Sequence, residues 1–209
     1  MLVVGIQLSI LMETDFSLLN AARRMDRDAI IKIFDLYATP LYNYALRLCR
    51  DPVKADHIVG DVFAKLVDQF ASGKGPTANL RSYLYEIAYH IIIDEGRISR
   101  RWASLEALTM QRVDVRSGML GSEDKILFEM ILQAIQRDLT PDQRHVIVLR
   151  FLEGFSLYET ASILRKKVSH VKVIQGRAIA KLRQVFQSRE LRAAVSLPRV
   201  RELSKALRI

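Results

Sequence analysis

The chain has 209 residues, half of them hydrophobic, with 32 Lys and Arg against 23 Asp and Glu and a formal net charge of +9. This length and composition predict one or two folded domains with a sizeable core. The single cysteine, Cys49, excludes an internal disulfide and fits a reducing compartment, so a cytoplasmic protein is expected.

Residues 1–25 are interpreted as an N-terminal extension. The run from Met1 to Met12 is almost entirely apolar. It is too short to span a bilayer, and no basic residue precedes it as in a secretion signal, so no membrane insertion is expected. Met12 is a candidate for the true first residue. A short helix is expected from Phe16 to Arg24, with Asp15 as its N-cap.

The hydrophobic spacing is helical throughout residues 26–101, and no convincing alternating strand is found, so an all-α fold is predicted. Pro40 is expected to kink or break a long helix that follows Asp26, and Pro52 suits the first turn of the next helix. Residues 71–77 are expected to form a loop, and a further helix is expected from Asn79 to Arg101. Together with the first short helix, these can close a small bundle. The residues expected on the three buried stripes are Ile30, Ile33, Phe34, Tyr37, Leu41, Tyr44 and Leu48; Ile58, Val59, Val62, Phe63, Leu66, Val67 and Phe70; and Leu80, Tyr83, Leu84, Ile87, Ala88, Ile91 and Ile92.

Residues 102–122 lose the helical period and are interpreted as a linker to a second helical domain, residues 123–187. Two capping boxes, Thr140 to Gln143 and Ser156 to Glu159, each predict a helix start, and the first of these helices should end near Gly154. After a turn at residues 165–167, a last helix is expected from about Val168. Residues 188–209 form a basic amphipathic tail in this interpretation.

The excess positive charge lies at the C-terminal end of the chain. From Thr140 to Ile209 there are 15 Lys and Arg against 5 Asp and Glu, whereas the first 139 residues have 17 against 18. Positive charge confined to one predicted domain favours binding to nucleic-acid phosphates. The alternative is a solvated basic tail.

Two short helices joined by a tight turn, the second one basic, are typical of a helix-turn-helix that enters the major groove. Ser169, His170 and Lys172 are at the leading end of the second helix and are expected to reach bases. Arg177, Lys181 and Arg183 follow and are expected to reach phosphates. The alternative is an ordinary helical hairpin with a solvated basic face.

Four segments carry a resemblance to a known family. The segments LTPDQRHVIVLRFLEGFSLYETASIL (139–164) and VKVIQGRAIAKLR (171–183) resemble the C-terminal DNA-binding domain of bacterial sigma factors of the extracytoplasmic-function (ECF) group. ADHIVGDVF (55–63) resembles the family's polymerase-binding helix, and LRSYLYEIAYHIIIDEGR (80–97) resembles its promoter-melting helix. The resemblance covers roughly residues 26–187.

The resemblance implies a subunit of RNA polymerase that has no enzymatic activity and no cofactor of its own. Its partners would be core RNA polymerase, promoter DNA and an anti-sigma protein. The polymerase contact would be made by Asp56, His57, Gly60, Asp61 and Phe63. The downstream (minus-ten) element would be opened by the loop from Lys74 to Asn79 together with Arg81, Tyr83, His90, Arg97, Arg100 and Arg101, although Tyr83 also fits a core position. The upstream (minus-thirty-five) element would be read by Lys167, Val168, Ser169, His170, Lys172, Val173, Arg177 and Lys181.

The chain departs from the family pattern at several of these positions. His57 stands where the family usually has an acid, and Gly60 stands where it usually has Gln. Arg165 stands where the family usually has a turn glycine, and Lys167 stands where it usually has a Ser or Thr N-cap. Ser169 is therefore a candidate cap for a helix that starts slightly later. Gly176 replaces a position that is often His or Arg.

Two other classes of protein are alternatives to this interpretation. One is a helix-turn-helix regulator that binds duplex DNA without docking on polymerase. The glycine-rich loop and the resemblance found in the N-terminal half of the chain argue against it. The other is an enzyme, for which the four histidines offer no metal-ligand spacing and no phosphate loop or nucleophile elbow is present.

Overall fold

The structure, a computed structural model, describes residues 16–102 and 122–187, and within them the side chains of residues 16–95 and 128–186. All regular elements in this part of the chain are helical, which confirms the all-α prediction. The Asp15 cap, the candidate start at Met12, most of the linker and the basic tail lie outside it. The helices are α1 (16–23), α2 (Arg27–Cys49), α3 (Pro52–Ala71), α4 (Leu80–Trp102), α5 (Ser122–Asp138), α6 (Pro141–Ile147), a π-helical continuation of α6 (Val148–Leu152), α7 (Leu157–Ile163) and α8 (Val168–Gln187).

The described residues fall into two compact units. The first contains residues 16–45 and 51–102, and the second contains residues 46–50 and 122–187. Each unit has its own buried apolar core.

The helix starts of the first unit follow local capping chemistry. The Asp26 carboxylate accepts a hydrogen bond from the backbone N–H of Ala29 at 2.9 Å, which caps α2. Asp51 caps α3 by accepting from the N–H groups of Val53 and Lys54, and Pro52 takes the first helical position as predicted. Pro40 was expected to kink or break this helix; a break is wrong, because α2 continues through Pro40 from Arg27 to Cys49.

The core of the first unit brings α3 against α4, with the rings of Tyr44 and Tyr85 5.0 Å apart at its centre. Tyr85 and Tyr89 are buried although they were not placed on the predicted stripe, whereas Tyr83, Ile87 and Ile92 are only half-buried. The inward side of α4 is therefore rotated towards Tyr85 and Tyr89. The prediction that Phe34 is buried is also wrong, since 47% of it is exposed.

The second unit contains both predicted capping boxes. The Thr140 hydroxyl accepts from the Gln143 N–H at 3.4 Å, and the Gln143 amide oxygen accepts from the Thr140 N–H at 3.0 Å. Ser156 and Glu159 make the equivalent pair at 3.2 and 2.7 Å. The helical run from Pro141 ends at Leu152, and Gly154 has a φ of +75°, as expected for a helix stop at that glycine.

Helix α8 packs against α5, α6 and α7 and supplies one long buried stripe. It begins at Val168, so the expectation that Ser169 acts as its cap is wrong. The buried residues of α8 are Val171, Ile174, Ala178, Leu182 and Phe186. Because this stripe is buried, the opposite side of α8 faces away from the core.

Candidate functional sites

The outward side of α3 carries most of the residues expected at a polymerase contact. Asp56, His57, Gly60 and Asp61 are exposed along this helix. A Cβ at Gly60 would have no heavy atom within 4 Å, so the surface at this position is bare. The fifth residue of the set, Phe63, is only 8% exposed and belongs to the edge of the core.

An apolar patch on α2 adjoins Phe63 and was missed by the sequence analysis. The ring of Phe34 lies 4.7 Å from that of Phe63 at an interplanar angle of 51°, yet Phe34 is 47% exposed. Ile31, one helical turn earlier on α2, is 46% exposed. Ile31 and Phe34 together are called the α2 patch below. The hydrophobic spacing could not find it, because it shows which residues share a side of a helix and not whether a neighbour covers that side.

The loop between α3 and α4 is held in a defined backbone path. Gly73 has a φ of +70°, and the Lys74 N–H donates to the Gln69 carbonyl at 2.8 Å. Gly75 is buried against the Phe70 ring, which a Cβ would approach to 2.6 Å at Cε1. Asn79 ends the loop with a φ of +53°, a left-handed conformation that Asn adopts more readily than most residues. Lys74 and Asn79 are both exposed.

A groove of about 410 Å³ lies between α3 and α4 in the first unit, lined by Lys65, Asp68, Gln69, Tyr83, Ile87 and His90. It brings together two residues of the predicted downstream set, Tyr83 and His90. The Nε2 atom of His90 is buried and has no hydrogen-bond partner.

The remaining downstream residues all lie along α4. The Arg81 guanidinium lies 5.7 Å from the centre of the Tyr85 ring. Helix α4 continues to Trp102 and so includes the positions of Arg97, Arg100 and Arg101, whose side chains lie outside the described ones.

The outward side of α8, called the α8 face below, brings together nearly all of the predicted upstream set. Lys167, immediately before the helix, is also exposed, whereas Val168 is half-buried. From residue 168 to residue 187 the helix has four Lys and Arg and no Asp or Glu. The exposed members of the α8 face are Ser169, His170, Lys172, Val173, Gly176, Arg177 and Lys181. This side therefore presents positive charge without an acidic residue to oppose it.

The turn before α8 is built from an unusual residue. Arg165 has a φ of +48°, the left-handed conformation that glycine usually supplies. The N–H of Arg165 donates to the Ser162 carbonyl at 3.0 Å, and that of Lys166 donates to the Ala161 carbonyl at 2.9 Å. The Lys166 ammonium pairs with Asp142 at 3.1 Å, so it holds the turn on α6.

Arg150 is a positioning residue that the sequence analysis missed. Its Nε donates to the Gln175 side chain of α8 at 3.1 Å, and its guanidinium also donates to the Phe155 carbonyl. Arg150 thereby ties the segment before α7 to the middle of α8. Only the side-chain geometry reveals this role, because the sequence shows one more basic residue in a basic domain.

His145 belongs to the core of the second unit. Burial lowers its pKa from 6.5 to about 3, with Asp142 opposing the shift and Arg144 and Lys166 reinforcing it. The imidazole is therefore neutral near pH 7 and serves packing, since it does not reach a surface.

Residues 16–102 and 122–187 hold no cluster of three or more His, Cys, Asp or Glu able to bind a metal. Their helices are also not long and apolar enough for any of them to cross a membrane.

Family models match two separate segments of the chain. The model described as Sigma-70 region 2 matches residues 33–103, and the model described as Sigma-70, region 4 matches residues 137–184. The first segment contains the α3 side and the groove, and the second contains the α8 face.

Curated relatives are similar along most of the chain. The ECF RNA polymerase sigma factor BldN of Streptomyces coelicolor is 26% identical over 173 residues, which are 81% of this chain and 64% of BldN. The ECF RNA polymerase sigma factor SigX of Bacillus subtilis is 29% identical over 157 residues, 73% of this chain and 80% of SigX.

A solved structure shares the fold. It is the sigma factor RpoE in complex with the anti-sigma factor NepR from Bartonella quintana. RpoE has a TM-score of 0.55 and 22% identity, and the match covers 76% of this chain and 97% of RpoE.

Proposed function

Because the chain belongs to the sigma-70 family of RNA polymerase factors, in its ECF group, we propose how its two units divide the work of a sigma factor. Such a factor binds core RNA polymerase and directs it to start transcription at specific promoters. The first unit docks on the polymerase and opens the downstream element, and the second unit reads the upstream element. The observation that carries the proposal is the α8 face, which is exposed, basic and free of acidic residues.

Docking uses the outward side of α3 together with the α2 patch. The α3 residues Asp56, His57, Gly60 and Asp61 supply polar contacts, and Phe63 supports the patch from below through its contact with Phe34. Half-exposed apolar side chains beside exposed polar ones have the composition of an interface centre with a polar rim. Ile31 and Phe34 are therefore the apolar anchors in this proposal.

The chain offers a matched pair of variants for this docking site. Ile31 and Leu36 are both on α2 and about half-exposed, at 46% and 55%, but they point to different sides of the helix. We expect Ile31→Ser to weaken the affinity for purified core polymerase about fivefold, because it removes buried apolar area from the interface. Leu36→Ser should leave the affinity unchanged. Equal effects of the two variants would contradict the docking site.

The loop and the groove support the role at the downstream element. Lys74 supplies exposed positive charge along the loop, and Tyr83 and His90 line the groove between α3 and α4. A base released from a melted duplex needs a stacking surface, a hydrogen-bond partner and charge for its backbone. Arg81, Asn79 and the helix positions of Arg97, Arg100 and Arg101 complete this site in the proposal.

The α8 face supports the role at the upstream element. Helix α8 has a bare, exposed side whose leading end carries Ser169 and His170 and whose later turns carry Arg177 and Lys181. A helix placed in the major groove meets bases with its first turns and phosphates with flanking cations. The Arg150 bond to Gln175 and the Arg165 turn fix the orientation of α8 for this task.

The chain is proposed to act without a catalytic group of its own, in the cytoplasm, under control of an anti-sigma protein. Polymerase supplies the chemistry of RNA synthesis, and this chain supplies the choice of start site. The anti-sigma partner rests on the family and on the fold shared with RpoE, whose structure holds the anti-sigma factor NepR.

Run-off transcription with purified core polymerase on a promoter library tests the function directly. We expect discrete transcripts that require the chain, and co-purification of the chain with core polymerase. A regulator that acts without polymerase docking would bind duplex DNA but would neither co-purify nor yield transcripts.

A further inference from the structure

Val173 is an apolar residue in the middle of a basic surface. It is 48% exposed, and it is the only large hydrophobic residue exposed to this degree among the described residues of α8. Of the other large apolar residues at the centre of this helix, Val171, Ile174 and Leu182 are buried and Ile179 is half-buried. Core packing therefore does not explain a valine at this position.

The position of Val173 on the helix is central to the α8 face. Residues of an α-helix follow one another at about 100°, so Val173 lies on the side opposite Val171 and Leu182. Ser169 and Gly176 lie about one turn before and after it. Lys172 lies towards one flank, and Arg177 and Lys181 lie towards the other. Cations thus border Val173 on both sides.

The surface next to Val173 is open. Gly176 is exposed, and a Cβ there would meet no heavy atom within 4 Å. Since glycine leaves the i+3 position next to Val173 without a side chain, a flat base edge can come close to the valine methyl groups from that side. A longer residue at position 176 would hold the helix away from such an edge.

The chemistry of a DNA duplex selects one base for this environment. In the major groove only thymine offers an apolar group, its 5-methyl, whereas the other base edges offer hydrogen-bond donors and acceptors. With flanking cations on the phosphates, the centre of the helix faces the base edges. We propose that Val173 selects a thymine in the upstream promoter element by packing against its 5-methyl group. This inference rests on the proposed function of the α8 face.

The test removes only the methyl group. Holoenzyme is assembled from the full chain and core polymerase, and it selects duplexes from a random-sequence pool. Each thymine of the selected upstream element is then replaced, one at a time, by deoxyuridine. At one position we expect affinity to fall about fourfold, the usual effect of losing one buried methyl group. Holoenzyme with Val173→Ala should bind the thymine duplex and the deoxyuridine duplex equally well.

Two control variants separate this contact from a general loss of binding. Val53→Ala removes the same atoms from an exposed valine of α3, 63% accessible, and should retain the fourfold discrimination. Lys172→Ala should weaken binding to both duplexes by the same factor, because a phosphate or polar contact is lost while the methyl contact remains.

The outcomes separate the inference from the proposed function. Failure to select any sequence would remove the sigma-factor function itself. A selected element without thymine, or one in which every deoxyuridine is tolerated, would overturn the role of Val173 and leave the function intact. Discrimination that persists in Val173→Ala would also overturn it. So would a loss of core-polymerase affinity in that variant with unchanged discrimination, which would mark Val173 as a protein contact.

Discussion

At the residue scale, the glycines of the first unit illustrate two opposite situations. Gly75 is buried with the Phe70 ring against it, and a Cβ would lie 2.6 Å from Cε1. Gly60 has open space around it within a helix. The first position therefore excludes a side chain, and the second does not.

We expect Gly75→Ala to lower the free energy of unfolding by about 1–3 kcal/mol, because the added methyl forces the loop or the ring to move. Gly60→Ala is the matched variant, and it should raise the free energy of unfolding by up to about 1 kcal/mol through helix propensity. Urea denaturation of both variants measures the difference. The packing at Gly75 would be disproved by a variant as stable as the wild type.

His145 makes the stability of the second unit depend on pH. Its pKa is about 3 in the folded protein and 6.5 as the ordinary value, so the unfolded chain binds the proton more readily between these limits. The stabilisation is complete above about pH 6.5 and is lost as pH falls towards 3, at up to about 1.4 kcal/mol per pH unit. Glutamine does not titrate, so the unfolding free energy of His145→Gln should fall less steeply than that of the wild type as pH drops from 6.5 to 4.5. Parallel curves for the two proteins would contradict this burial effect.

Single residues were predicted well where neighbours in sequence decide their environment, and poorly where neighbours in space decide it. Pro52 in the first turn of α3 and the two capping boxes are local chemistry, and the structure has them as predicted. The exposure of Phe34 and the burial of Tyr85 depend on how α2, α3 and α4 are rotated against one another. Hydrophobic spacing gives a direction around one helix and leaves the adjoining surface undetermined.

At the element scale, the turn between α7 and α8 contains stored strain. Arg165 has a φ of +48°, and a left-handed conformation costs about 1–2 kcal/mol for a residue with a Cβ. Lys166 and its pair with Asp142 help to hold the turn despite this cost.

Arg165→Gly should therefore raise the free energy of unfolding by about 0.5–1 kcal/mol, the relief of strain exceeding the extra entropy of glycine in the unfolded chain. Arg177→Gly removes the same charge from the interior of α8, where the backbone is helical, and should lower the free energy of unfolding by about 1 kcal/mol. Thermal denaturation gives the sign of each change. Destabilisation by both variants would show that the turn is not strained.

The continuity of α2 through Pro40 shows why this element could not be predicted from local rules alone. Proline removes one helical hydrogen bond and crowds the preceding turn, which predicts a kink or a break. Buried Ile33, Leu41 and Tyr44 anchor α2 on both sides of the proline. Tertiary packing of this kind supplies most helix stability in proteins, and it outweighs one lost bond.

At the scale of the whole molecule, the excess positive charge lies in the C-terminal part of the chain. The second unit presents Lys172, Arg177 and Lys181 on one exposed side, and the charge balance of the first 139 residues is nearly neutral. Binding to duplex DNA should therefore depend steeply on salt, since each phosphate contact releases counterions.

The full chain binding to a random-sequence duplex tests this dependence by fluorescence anisotropy at several salt concentrations. Lys181→Ala should make the slope of log K against log salt less steep by about 1, because one phosphate contact is lost. Lys32→Ala removes an exposed lysine of α2 and should leave the slope unchanged. Equal slopes for Lys181→Ala and the wild type would remove Lys181 from the DNA contact.

The candidate sites were predicted unevenly for a related reason. The α8 face follows from the alternation of buried and basic residues along one helix, so a sequence pattern is enough to find it. The α2 patch and the groove each depend on two helices meeting, and no spacing within either helix indicates them. Arg150 was missed because its partners, Phe155 and Gln175, come together only after folding.

The bare outward side of Gly176 has an evolutionary consequence. Because a Cβ there meets nothing within 4 Å, residues other than proline fit at this exposed position without disturbing the core beneath α8, and most would strengthen the helix. If the α8 face reads the upstream element as proposed, a single codon change at this position would alter which promoters are recognised while the fold persists. On that proposal, descendants of this chain would acquire new sets of target genes without first acquiring a more stable scaffold.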